Sequence, residues 1–145
     1  MDDHHGDNAD LTHEEGAAIE YSPGKCNIGL REVRRRQLVG GIGLFLTIST
    51  VLGFYHQHSS RIDRLTTFLP AVVMSIGYLQ ARKRFCLAFG LSGLFNFGTL
   101  GNTTRVISEE DRKIDRDAAI RLLLEAMTLA AVVTVFVLLL PIPSK

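Results

Sequence analysis

Apolar residues dominate four stretches of this chain, 38–55, 65–81, 85–101 and 122–141, and polar segments lie between most of them. The first stretch has eighteen residues and no charge. As an α-helix it would be about 27 Å long, which is enough to cross the hydrocarbon core of a bilayer. The second would be about 25 Å long and contains Pro70, which predicts a kink near its start. The pattern predicts an all-α integral membrane protein, a four-span helical bundle.

The third stretch is rich in glycine, which lowers helix propensity in water but lets helices approach closely in a membrane. Gly90 and Gly93 lie three residues apart, and we predict that they belong to one helix-packing face. Asn96 is strongly polar, and its amide could hydrogen-bond to a neighbouring helix or contact a ligand. The glycines leave two alternatives for 85–101, a complete span or a re-entrant, broken helix.

The fourth stretch follows a charged segment that has its own helix signal. Ser108 precedes three acidic residues in a pattern like a capping box, which predicts a helix that starts there and continues into the stretch. Residues 108–121 would then form a charged helical extension outside the bilayer. Glu125 lies one turn inside the stretch and is a candidate intramembrane functional group. It is also close enough to the interface to pair with Arg121 or to reach water.

The N-terminal residues differ from the rest in composition. The first twenty carry seven acidic side chains, three histidines and no Lys or Arg, which is typical of disorder. A turn signal at Ser22-Pro23-Gly24 closes this part, so we assign 1–24 to a disordered acidic tail and 25–145 to a membrane domain. Residues 27–37 predict a short interfacial helix that Asn27 caps and that continues into the first span.

The formal net charge is +1, and the placement of the basic residues says more than their sum. They cluster beside apolar stretches, where topology signals explain them and no nucleic-acid partner is predicted. Four spans with both termini in the cytoplasm would put the arginines of 31–36, the cluster 82–84 and Lys145 on one side. We therefore predict a multi-pass protein of the plasma or inner membrane, N-in and C-in. The basic residues of 105–116 oppose this arrangement, because it leaves them outside.

The chain has two cysteines, Cys26 and Cys86, and the predicted topology brings both to the cytoplasmic interface. Arginines nearby would favour the reactive thiolate, so the two are candidate thiols for redox or sulfur chemistry. The alternative is that they are unrelated, one at the interface and one packed as a small hydrophobic side chain.

The sequence contains no phosphate-binding loop, no nucleophile elbow and no zinc-protease motif, and it predicts no catalytic residue. The tail histidines sit in a segment that offers no fixed ligand geometry, while His56 and His58 fit a solvated loop. No metal site and no cofactor are predicted.

Part of the chain resembles a known bacterial family. Asn27-Ile28-Gly29, the arginines after it and Phe85-Cys86 with the following Phe89-Gly90 are similar to a small two-helix inner-membrane module, found alone or attached to rhodanese domains. The resemblance covers about residues 27–92 and implies sulfur chemistry. The chain departs from that module by lacking its Cys-Pro pair, by a longer middle and by the extra fourth stretch.

Three functions remain open at this point. The first is a non-enzymatic accessory, scaffold or assembly subunit that sits in the lipid bilayer and contacts a membrane protein partner or a second copy of itself. The second is a thiol protein that handles sulfur at the cytoplasmic face through Cys26 and Cys86. The third is a small transporter or channel, for which polar residues inside the spans are scarce.

Overall fold

The computed structural model describes residues 20–98, 100 and 102–141. The main elements in these residues are four α-helices and one short pair of strands. The helices are α1 (Leu30–Gln57), α2 (Phe68–Lys83), α3 (Leu87–Ser92) and α4 (Glu109–Leu139). A 3-10 helix, Asp63–Thr67, leads directly into α2. The strands β1 (Leu94–Phe95) and β2 (Thr104–Arg105) pair antiparallel. The prediction of a mostly helical protein is confirmed.

Two of these helices, α1 and α4, are long and apolar enough to cross a membrane, with 28 and 31 residues. Only 22% of the residues in the most apolar part of α1 are buried against the rest of the protein, and only 28% of those in the most apolar part of α4. The exposed faces carry large apolar side chains such as Phe45 and Leu52 on α1 and Val132 and Phe136 on α4. A core helix of a soluble protein would be largely buried, whereas the described residues leave these apolar faces of α1 and α4 exposed.

The prediction of four spans is not supported. In the described residues of the third stretch, 85–98 and 100, the one helix is the six-residue α3, which is about 9 Å long and ends at Gly93 in the left-handed region, φ +65°. The chain then forms β1 instead of continuing as a helix. The second stretch forms α2, whose 16 residues are few for a span, although the 3-10 helix extends it. Pro70 lies in the first turn of α2, where its missing N–H removes no helical hydrogen bond.

The pair α1 and α2 packs antiparallel with backbone against backbone. A Cβ atom on Gly43 would lie 2.3 Å from the backbone nitrogen of Met74, and one on Gly77 would lie 2.4 Å from the nitrogen of Gly40. Because Gly40, Gly43 and Gly77 have no side chain, the axes of α1 and α2 can approach more closely than larger residues would allow. Gly40 and Gly43 of the first apolar stretch therefore face a helix of the same chain.

Helix α4 runs antiparallel to α2, as contacts at both ends of α2 show. At the C-terminal end of α2, the ammonium of Lys83 pairs with the carboxylate of Glu125. Near the start of the 3-10 helix, Nη1 of Arg64 donates to the carbonyl oxygen of Leu140 over 3.1 Å. The predicted pairing of Glu125 with Arg121 is not what the structure shows, because Arg121 instead donates to the backbone oxygen of Asp117.

The two ends of the helical bundle differ in structure. One end, which we call the head, consists of residues 21–36, 80–98 and 104–121. It contains the start of α1, the end of α2, all of α3, both strands and the start of α4.

Residues 1–19 of the predicted tail lie outside the described residues. Tyr21 and Gly24, which were also assigned to the disordered tail, are bound to Asp115 of α4 within the head.

Candidate functional site

The head is built around an extended segment, 26–29, and its fully buried residue Asn27. The Asn27 side chain clamps the backbone of Cys86: Oδ1 accepts from the Cys86 N–H at 2.6 Å, and Nδ2 donates to the Cys86 carbonyl at 3.2 Å. The backbone N–H of Asn27 donates to the carbonyl of Arg84 at 3.2 Å. Asn27 was predicted to cap a helix, but α1 begins at Leu30 after Gly29, and the amide is used for tertiary contacts.

Asn96 joins the same segment from the other side. Its backbone N–H donates to the Asn27 carbonyl at 3.0 Å, and its carbonyl accepts from the Gly29 N–H at 2.7 Å. Its side-chain oxygen accepts from the N–H of Gly98 at 2.9 Å. Asn96 was predicted to lie inside a span and to bond a neighbouring helix. It instead follows β1 in the head, buried among backbone groups that it helps to satisfy.

Cys86 lies beneath these backbone contacts, 1% exposed, next to two charged side chains of α1. Nη2 of Arg36 lies 3.1 Å from its Sγ atom and 3.6 Å from a carboxylate oxygen of Glu32. Glu32 is itself buried, so the guanidinium is held between a carboxylate and a thiol in a site nearly closed to solvent.

Cys26 lies in the same head but in a different environment. It is half-buried, and its Sγ is 3.8 Å from the carbonyl oxygen of Ile28. Burial raises the pKa of the Cys26 thiol, and the nearby charge of Arg84 offsets this only in part. Both cysteines are free thiols. Asn27 follows Cys26 in the chain, and its side chain hydrogen-bonds to the backbone of Cys86. The arginines therefore do not make Cys26 the activated thiol that the sequence suggested.

A second buried polar residue, Asp115 of α4, holds the start of the described chain. Its carboxylate accepts from the Tyr21 hydroxyl at 2.8 Å and from the Gly24 N–H at 2.7 Å. Gly24 has φ +69°, which suits glycine at this turn. Asp115 was not predicted from the sequence. The signal was present, because Asp115 continues the spacing of three and four residues between the buried residues Ala119, Leu122, Ala126 and Ala130 of α4.

The predicted packing glycines both contact the N-terminal part of α4, for different reasons. A Cβ on Gly90 would lie 2.7 Å from the Phe85 ring and 3.0 Å from the carbonyl oxygen of Asp115. Gly93 has φ +65°, and a Cβ there would lie 2.7 Å from the side chain of Arg112. Gly90 is therefore required for close approach, and Gly93 mainly for its backbone conformation.

The Tyr21–Asp115 contact predicts a dependence of stability on alkaline pH. Burial, together with the hydrogen bond to Asp115, raises the pKa of Tyr21 well above its ordinary value of about 10. The contact therefore stabilises the fold fully below about pH 10 and less as the pH rises above it. In detergent, the difference in unfolding midpoint between wild type and Tyr21→Phe should shrink from about pH 8 to above pH 10. The exposed Tyr55→Phe is the control, and a constant difference for Tyr21→Phe would contradict the contact.

Within residues 20–98, 100 and 102–141, no group of three or more His, Cys, Asp and Glu side chains is arranged to hold a metal ion. His56 and His58 are exposed at the end of α1, away from the head. The tail histidines His4, His5 and His13 lie outside the described residues. The head thus contains several buried amide and carboxylate side chains and a buried thiol beside a guanidinium. Comparisons with family models, with curated proteins and with solved structures find no match to this chain.

Proposed function

We propose that this chain is an integral membrane protein in which three helical segments cross the bilayer: α1, the 3-10 helix with α2, and α4. The exposed apolar faces of α1 and α4 support this arrangement, because lipid would cover what the described residues leave open. The α2 segment runs between the same two ends as α1 and α4. Three spans replace the four that the apolar pattern predicts.

The positions of the basic residues support one orientation of these spans. Most of them belong to the head, and few lie at the other end of the bundle. Under the positive-inside rule the head is then cytoplasmic and residues 58–62 and Pro141 are on the opposite side. A three-span arrangement also brings the basic residues of 105–116 to the cytoplasmic side, where four spans could not put them. The basic residues of the head are Lys25, Arg31, Arg34, Arg35, Arg36, Arg82, Lys83, Arg84, Arg105, Arg112, Lys113, Arg116 and Arg121.

A reporter that reads sidedness will distinguish the two topologies. Reporters at Ser22, Ser60, Asp111 and Pro141 should read in, out, in and out. The decisive position is Asp111, because four spans with N-in and C-in would put it outside. A reporter at Lys83 should read in under either topology and serves as the control. An outside reading at Asp111 would contradict the three-span proposal.

Within this membrane arrangement, the proposed function is that of a non-enzymatic accessory or assembly subunit. One observation supports it most: three buried polar side chains of the head, Asn27, Asn96 and Asp115, are engaged in holding it together. The Asn27 side chain binds the backbone of Cys86, that of Asn96 accepts from the N–H of Gly98, and Asp115 holds the turn at Gly24. What the head offers outward is a charged surface from the first turns of α4, suited to a protein partner.

Purification in mild detergent tests this role. We expect the chain to elute as part of a larger assembly whose composition is reproducible. Arg116→Glu changes an exposed charge on α4 and should release the assembly without lowering the unfolding midpoint. Arg61→Glu, an exposed arginine at the opposite end, is the matched control and should leave the assembly intact. A monomer that retains all biological activity in cells would contradict the subunit role.

A second candidate function is favoured by the contact between Arg36 and Cys86. The guanidinium of Arg36 lies 3.1 Å from the Cys86 Sγ atom, and reactive cysteines of sulfur-handling proteins often lie next to such a cation. The resemblance of 27–92 to the rhodanese-linked module points to the same chemistry. Against it stand the near-complete burial of Cys86 and the raised pKa of Cys26.

Alkylation of single-cysteine variants in membranes separates these candidates. We expect Cys86, isolated by Cys26→Ser, to react slowly at neutral pH and to become reactive on unfolding, because its sulfur is buried. Cys26, isolated by Cys86→Ser, should require a pH above the ordinary thiol pKa of about 8.5 for rapid reaction. Fast labelling of Cys86 at neutral pH, lost in Arg36→Gln, would instead favour the sulfur function.

A further inference from the structure

A groove between α1 and α2 runs from the edge of the head along the helical bundle. It has a volume of about 480 Å³, and Leu129 of α4 also lines it. On α1 it extends from Gln37 to Leu44, which is about 10 Å along the helix. Gly41 contributes to its width, because a Cβ atom there would meet no other atom within 4 Å.

The two ends of this groove differ in chemistry. At the head end lie Gln37, Tyr78 and Arg82, and at the other end lie Leu44 and Met74. The groove therefore changes from polar to apolar along the direction that leads from the membrane surface inward. This is the polarity of a lipid molecule, whose charged phosphate lies at the surface and whose acyl chain lies in the hydrocarbon.

Arg82 supplies the charge at the head end. Its Nη1 donates to the Tyr78 hydroxyl at 2.9 Å, which fixes the guanidinium above the groove. Among the described residues no carboxylate pairs with Arg82, in contrast to Lys83 and Arg36, which have Glu125 and Glu32. A guanidinium has five donors in a planar fork that matches a phosphate, so most of its hydrogen-bonding capacity remains for a ligand.

We propose that this groove binds an anionic glycerophospholipid, with its phosphate at Arg82 and one acyl chain along Gly41 and Leu44. The proposal rests on the proposed membrane arrangement and names a ligand for it. A neutral-headgroup lipid would fill the apolar part equally well, but it would gain less from Arg82. One arginine near the membrane surface should enrich the anionic lipid in the groove about fivefold.

The chain has no tryptophan, so a single introduced tryptophan reports on its own surroundings. Leu44→Trp puts the reporter in the groove, and Phe45→Trp puts it on the neighbouring exposed face of α1, outside the groove lining. Each variant is reconstituted in phosphatidylcholine vesicles with a minor fraction of phosphatidylglycerol. The bromine quencher is carried on the acyl chains of one lipid or of the other.

We expect brominated phosphatidylglycerol to quench the Leu44→Trp variant well beyond its mole fraction, and both lipids to quench Phe45→Trp in proportion to theirs. Adding Arg82→Gln or Gly41→Phe to Leu44→Trp should remove the excess. Gly53→Phe, at another glycine of α1 with nothing within 4 Å, should retain it.

Three results would overturn an assignment, and they are distinguishable. Quenching of Leu44→Trp in proportion to mole fraction by both lipids would overturn the anionic-lipid site. Protection of Leu44→Trp from both lipids, with Phe45→Trp still quenched, would mean that protein covers the groove, such as a second copy of the chain. Absence of quenching in both variants would overturn the membrane arrangement itself.

Discussion

Replacing Gly43 by leucine is expected to separate α1 from α2 and to lower the free energy of unfolding by about 1–3 kcal/mol or more. Even a Cβ atom at this position would lie 2.3 Å and 2.6 Å from the backbone nitrogen and Cα of Met74. The clash is with backbone, which cannot rotate away as a side chain can. The pair must therefore move apart along its length, and contacts at Gly40 and Gly77 would be lost with it.

The measurement is the unfolding midpoint in mild detergent, followed by circular dichroism. Gly53→Leu is the matched control, because it makes the same substitution in the same helix where a Cβ meets no atom within 4 Å. We expect the control to unfold close to wild type. Equal midpoints for Gly43→Leu and Gly53→Leu would mean that α1 and α2 are not packed through these glycines.

Replacing Asn27 by alanine is expected to have a comparable effect on the head. The substitution removes the partner of the buried Cys86 N–H. It also removes one of the two donors to the Cys86 carbonyl, which still accepts from the Gly90 N–H at 2.9 Å. A buried N–H left without a partner costs about 1–3 kcal/mol. Asn27→Asp should retain one of the two bonds, because a carboxylate can accept from the N–H of Cys86 but cannot donate to its carbonyl. Burial of the negative charge adds a further cost.

The unfolding midpoint and the alkylation rate of Cys86 report this effect together. Asn27→Ala should lower the midpoint and expose Cys86 to reagent, since the clamp on its backbone is gone. Asn102→Ala is the matched control, because Asn102 is exposed. Continued protection of Cys86 in Asn27→Ala would show that the clamp is not what holds this part of the head.

The sequence by itself determined the long elements. The uninterrupted apolar stretches of 38–55 and 122–141 correspond to parts of α1 and α4, since a helix satisfies its own backbone hydrogen bonds and needs only local sequence. The capping pattern at Ser108 is equally local: its side chain accepts from the N–H of Asp111 at 3.3 Å, and α4 begins at Glu109.

The tertiary structure alone decided the rest. Composition made 85–101 look like a span, but Gly93 ends α3, and the N–H of Val106 bonds the Gly93 carbonyl from across the strand pair. Asn27 looked like a helix cap, yet its partner is Cys86, 59 residues away. Contacts of such separation depend on how the chain returns on itself, which local periodicity does not encode. In the membrane arrangement that we propose, the break at Gly93 is what removes the third stretch from the spans and moves 105–116 to the other side.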